Sequence, residues 1–155
     1  MRDASYDFLK RLLSTPGPSG YEEAAAKVWR EEAEKFAEVG GDRMGNSFAT
    51  IRAGGSPKVM LAGHIDEIGV MITHIEENGL LRFTGVGGWD SQVLVGQRIR
   101  LLAKVGEVVG VIGKKAIHIM EPDERKKVSE IKSLWIDTGA KDAEEAKGMV
   151  RVGDV

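Results

Sequence analysis

The 155-residue sequence has no cysteine, which excludes disulfides, thiolate metal sites and cysteine nucleophiles together. It has no excess of positive charge either: 22 lysines and arginines stand against 24 aspartates and glutamates, a net charge of −2, so no global field gathers nucleic acid or anionic lipid. No stretch approaches the roughly 20 apolar residues of a membrane span. The first residues, Met1-Arg2-Asp3-Ala4-Ser5-Tyr6-Asp7, carry no apolar signal run, and the expectation is a cytoplasmic protein. Several catalytic signatures are missing too. There is no His-Glu-x-x-His helix. Gly113-Lys114-Lys115 has Val108 where a phosphate loop needs glycine, and Gly85-x-Gly87 has Asp90 where a dinucleotide fingerprint needs glycine or alanine.

What is abundant is glycine, 20 residues or about 13% against a usual value near 7%, dispersed without a period. With 42% hydrophobic and 30% charged residues, a compact chain of this size could bury roughly 68–70% of its unfolded surface. Phe8, Leu9, Leu12 and Leu13 fall at helical spacing and stop at the breaker cluster Ser14-Thr15-Pro16-Gly17-Pro18. Ser19 and Glu22 have the spacing of a capping box, and Ala25, Val28, Trp29, Ala33 and Phe36 predict an amphipathic helix of four to five turns ending at Gly40-Gly41. A strand is expected within 43–53. The run Lys58-Val59-Met60-Leu61-Ala62-Gly63 suits a strand buried on both faces. Two helices and at most two strands are too little to cover it, so something should complete the sheet.

From Glu67 onward the pattern turns to short β segments. Strands are predicted over 70–77 and 80–84 around an Asn78-Gly79 turn, then over 97–103, 107–112 and 134–138, as in a small β-sandwich or barrel. Residues 121–127 read as a charged loop or single helical turn. A short helix over 142–147 has Asp142 as cap and Gly148 as stop, and 149–155 looks like entry into a strand.

The sharpest chemical feature is Gly63-His64-Ile65-Asp66-Glu67 at the end of the apolar run. In extended chain, i and i+2 project to one side, so His64 and Asp66 can meet there. A histidine whose second nitrogen is held by a carboxylate is the arrangement metal sites use, although the same tripeptide also suits a structural or surface histidine. His74 and His118 are read as satisfied structural histidines. Trp89 could anchor an interface or a substrate wall, and equally a packed turn.

Taken in order, three stretches resemble the N-terminal part of the tetrahedral metallo-aminopeptidases, the glutamyl or deblocking aminopeptidase family whose members often carry an older cellulase or endoglucanase label. They are Ser14-Thr15-Pro16-Gly17-Pro18-Ser19-Gly20-Tyr21-Glu22, Met60-Leu61-Ala62-Gly63-His64-Ile65-Asp66-Glu67-Ile68-Gly69 and Gly87-Gly88-Trp89-Asp90-Ser91-Gln92-Val93-Leu94-Val95-Gly96-Gln97. His118 with Glu124-Arg125-Lys126-Lys127 resembles the stretch that follows in the family. The resemblance implies an α/β fold in which residues 1–67 are a partial catalytic domain and 68–155 a β-rich inserted barrel or sandwich serving oligomerisation or as a lid. It implies a hydrolase removing N-terminal residues from peptides with two zinc or cobalt ions, and a homo-oligomer in which dimers build a tetrahedral dodecamer. On this resemblance His64 matches a metal ligand and Asp66 the catalytic-site carboxylate that orients it. The remaining ligands and the general base have no counterpart in the 155 residues, so the chain alone is expected to be inactive. The alternatives are a non-catalytic oligomerisation module and, last, a glycoside hydrolase, whose two carboxyls would have to be Asp66 and Glu67 although these point to opposite faces of an extended segment.

Overall fold

The computed structural model describes residues 2–155, which fall into two compact units meeting in sequence at Glu67 and Ile68. In the first unit, helix α1 (Asp3–Ser14) ends where the proline cluster begins. Thr15 is extended, as a residue before proline must be, and its hydroxyl donates to the Arg11 carbonyl at 2.8 Å. Helix α2 (Glu23–Ala33) is shorter than the sequence predicts. Its periodicity stops at Ala33, the chain turns, and Gly40-Gly41 is no helix stop: both lie in strand β1 (Glu38–Gly41), antiparallel to β2 (Ser47–Thr50). The connection is tied by Asp42, whose carboxylate accepts from the backbone N–H groups of Met44 and Asn46 and from the Asn46 amide. The Asn46 side chain and these N–H groups hold its carboxyl below the usual aspartate range.

The expected buried strand over 58–63 does not form. That segment has no ladder partner among the described residues, and Val59, Met60 and Leu61 are 79%, 87% and 94% exposed. A doubly buried strand exists only between neighbours, and the one hairpin of this unit pairs with itself. The helices show the same deficit. Among the described residues, the buried apolar side chains of the first unit are those of Ala25, Ala26, Ala33 and Pro18, while Leu13 and Phe36 are exposed. Helix α1 buries no residue at all. Such small groups shed little apolar area from water, and the predicted amphipathic faces remain open.

The second unit has the core that the first lacks. Strands β3 (Gly69–Ile75), β4 (Leu81–Val86), β5 (Arg98–Ala103), β6 (Gly106–Gly113) and β7 (Trp135–Asp137) form one antiparallel sheet in the order β3-β4-β7-β6-β5. Ile72, Leu81, Leu101, Ile112, Leu134 and Ile136 are almost wholly buried between them, with Leu94 added from the single-turn helix α3 (Ser91–Leu94). The sheet curls. Gly153 N–H donates to the Ile72 carbonyl, Ile72 N–H to the Asp154 carbonyl at 2.9 Å, and Leu102 N–H to the Val155 carbonyl at 2.6 Å, so residues 153–155 bridge its two edge strands. These residues form a turn and a bridge, where the sequence predicts entry into a strand. Asp154 is buried with both carboxylate oxygens used, by Arg151 N–H and by Arg151 Nε at 3.0 Å each.

Local signals explain most of this unit. Gly79 takes the positive φ of +83° that the Asn78-Gly79 turn requires, and a Cβ there would stand 2.7 Å from the Ala140 carbonyl oxygen. Asp142 caps helix α5 (Ala143–Met149) by accepting from Glu145 N–H. Gly148 is a correction, lying inside that helix and not after it. Residues 121–127 contain one turn, α4 (Pro122–Arg125), closed by a reciprocal capping box between Glu121 and Glu124.

Candidate metal centre

Four residues in the first unit converge where two separated sequence stretches meet. Glu67 N–H donates to the Gly17 carbonyl at 2.9 Å, and Ser19 N–H donates to the Glu67 carbonyl at 3.2 Å, a short parallel bridge between the Pro16–Gly20 loop and the end of the apolar run. Side chains reinforce it. Gly17 N–H donates to Glu67 Oε1 at 3.0 Å, and the Ser19 hydroxyl donates to Asp66 Oδ2. Gly17 is buried, and a Cβ on it would press on Ala25 Cβ at 3.1 Å, so the loop packs closely on helix α2 here.

On this platform Asp66 Oδ1 lies 2.9 Å from His64 Nδ1, and the Asp66 carbonyl oxygen lies 3.1 Å from the same nitrogen. The donor can be assigned. A carbonyl oxygen only accepts, and so does an ionised carboxylate, hence Nδ1 carries the hydrogen. Asp66 is ionised at neutral pH: the Ser19 hydroxyl first, and His64 second, hold its carboxyl below the usual aspartate range. In the neutral ring the lone pair therefore resides on Nε2, on a side chain that is 86% exposed. Such a nitrogen is a ready metal ligand, oriented in the way that carboxylate-bound histidines are. The geometry thus places His64 and Asp66 in contact, as their spacing predicts. Among the described residues, however, no three His, Cys, Asp or Glu side chains come together to hold an ion.

Asp66 and Glu67 are committed to different donors, one to Ser19 and His64 and the other to Gly17. The capping role predicted for Ser19 is overturned. Helix α2 starts at Glu23 with Glu22 as its cap residue, and the Ser19 hydroxyl is spent on Asp66. The signal available in the sequence was the Pro16-Gly17-Pro18-Ser19-Gly20 stretch itself, which spacing rules connect to the next helix and not to a carboxylate 47 residues away.

The other candidates disperse. His74 and His118 are exposed, not satisfied in the core. A bulge between Ile72 and His74 shifts the phase of β3, turning His74 outward and letting Ile75 pack on the core. His118 lies in a short 3-10 turn (Ile117–Ile119) with exposed neighbours. Trp89 takes the packing role, resting against the core while its indole N–H donates to the Gly69 carbonyl at 2.6 Å. No helix among the described residues is long and apolar enough to cross a membrane.

Comparison with known proteins gives consistent results. The profile of the family described as M42 glutamyl aminopeptidase matches residues 45–155. The lysyl aminopeptidase of Pyrococcus furiosus is 34% identical over 158 residues, covering 97% of this chain and 44% of that protein. A crystal structure of the TET aminopeptidase from a marine-sediment thaumarchaeon superposes with a TM-score of 0.93 at 40% identity, covering 98% of this chain and 44% of that one. The TET1 peptidase of Pyrococcus horikoshii, which can assemble into a tetrahedron or a large octahedral shell, superposes at 0.84 with 34% identity over 96% of this chain and 44% of its own. This chain therefore spans less than half the length of the relatives it matches.

Proposed function

This chain belongs to the M42 glutamyl aminopeptidase family, and from that premise we propose that it is part of a metal-dependent aminopeptidase in which residues 1–67 contribute to the catalytic α/β domain and residues 68–155 form a β-rich inserted barrel. His64 serves as one metal ligand through Nε2, and Asp66 is the carboxylate that orients it. The observation that carries this reading is the fixed ring: Nδ1 is engaged by two oxygens of Asp66, leaving an exposed Nε2. The residues present fit one end of a two-metal zinc or cobalt site and no more, since no cluster of three ligands forms among the described residues. When bound, such a metal pair supplies Lewis-acid chemistry for hydrolysis of the first peptide bond. The chain's own contribution is to aim the ring by holding Nδ1 on Asp66, and the 155 residues by themselves do not hydrolyse peptides.

Asp66→Asn tests the orienting role. An amide side chain can present its NH2 group where the carboxylate accepts, so the ring loses the partner that fixes its tautomer. In a polypeptide extended to the length of the relatives, metal affinity should fall about 10–100-fold with the fold retained. Unchanged affinity and activity would remove Asp66 from the site.

A second element of the proposal is self-association through the β unit. Val109 and Val111 project outward from β6 and are exposed, beside inward-facing Gly110 and Ile112. These two valines, rimmed by Arg98 and Arg100 of β5 and Asp137 of β7, form a small apolar spot suited to another copy, and a relative of this chain assembles into shells. Light scattering at rising concentration should show association that Val111→Lys weakens. A monomer at every concentration would dismiss this element.

A further inference from the structure

We infer that Ser19 is a positioning residue for the metal centre, its hydroxyl fixing the Asp66 carboxylate so that the opposite oxygen meets His64 Nδ1. The inference rests on the proposed ligand role of His64 and deepens it. Three observations carry it. The Ser19 hydroxyl donates to Asp66 Oδ2 while Asp66 Oδ1 takes His64 Nδ1, so the two carboxylate oxygens are divided between an anchor and the ring. The Ser19 backbone is itself fixed, because its N–H donates to the Glu67 carbonyl and the Gly17 carbonyl accepts from Glu67 N–H. The loop therefore cannot follow a drifting Asp66 side chain. Finally, apart from the Asp66 carbonyl that also meets Nδ1 at 3.1 Å, the carboxylate and ring stand in the open: the side chains of His64 and Asp66 are 86% and 38% exposed, and the backbone around them belongs to no sheet.

A partly exposed aspartate has freedom about both side-chain torsions, and a single contact to a solvent-facing imidazole does not hold it. A donor on the far oxygen removes that freedom, much as carboxylates in metal sites are held by hydrogen bonds of their own. Ser19 bonds to Asp66 and not to His64. It acts through Asp66.

The test reads the His64 ring directly, by long-range proton–nitrogen NMR of the 155-residue chain without added metal. In the unsubstituted chain the ring should be held as the Nδ1–H tautomer. Ser19→Ala should mix in the Nε2–H form, while Ser19→Thr, which keeps the hydroxyl, should restore the original pattern. If the Glu67 amide signal shows that alanine has opened the loop itself, Ser19→Cys offers a weak donor of similar size and should give the same mixing with the loop closed. In the extended enzyme, Ser19→Ala should weaken zinc binding severalfold, less than Asp66→Asn does. An unchanged ring in both Ser19→Ala and Ser19→Cys would overturn the inference. Its failure is distinguishable from that of the ligand assignment: loss of zinc in His64→Ala with an indifferent Ser19→Ala sinks only the positioning role, whereas zinc retained in His64→Ala sinks the assignment beneath it.

Discussion

Ile136→Ala is expected to destabilise the β unit by about 2–5 kcal/mol, a large share of the roughly 5–15 kcal/mol that holds a domain folded. Ile136 is fully buried on β7, opposite Leu81 of β4 and Ile112 of β6, so it sits at the centre of the sheet. The space it fills is specific. A Cβ on Gly110 would lie only 2.5 Å from Ile136 Cγ2, which means the neighbouring glycine makes room for this side chain. Truncation leaves a cavity walled by strands on both sides, with little scope for collapse. Leu13→Ala provides the contrast, because that leucine is 72% exposed and its loss should change stability by less than about 0.5 kcal/mol. Urea melts followed through amide signals of β5 to β7 for Ile136→Ala, and of α1 and α2 for Leu13→Ala, measure the two. A cost below about 1 kcal/mol for Ile136→Ala would mean that the core is elsewhere.

The second large effect concerns the site. In a polypeptide extended to the length of the relatives, His64→Ala should lower metal content and peptide hydrolysis together, by more than the roughly 10–100-fold that loss of an orienting partner costs. The reason is stoichiometric: alanine deletes a coordinating nitrogen, where Asp66→Asn merely releases it. Because His64 is 86% exposed and belongs to no helix or strand, its removal should leave the fold intact, so lost activity cannot be ascribed to unfolding. Activity lost with both metals still bound would place His64 in another role.

The elements that the sequence makes legible are those determined by near neighbours. Asn78-Gly79 specifies its own turn, Asp142 caps the helix three residues on, and the β strands of the second unit follow local alternation, so their positions are readable to within a residue or two. Features set by distant partners are not. The apolar run 58–63 has the composition of a buried strand, yet no rule of composition supplies a neighbour to pair with it. Ser19 carries a capping signature and uses the same hydroxyl on Asp66, since the hydrogen bond it makes depends on how the two stretches fold together. His64 and Asp66 were visible because the contact between them needs only extended chain and a spacing of two. The bulge that turns His74 outward left no trace in the residues around it.

On the proposed function, the uncovered run 58–63, the small core of the first unit and the isolated His64–Asp66 pair share one explanation, that the first unit is a portion of a catalytic domain whose remaining sheet and ligands other residues supply. The direct test is to supply the purified 155-residue chain with zinc or cobalt and measure release of N-terminal amino acids from a peptide mixture. No release above that of the metal ion alone is expected. Turnover that disappears in His64→Ala, with two metal ions held per chain, would contradict it.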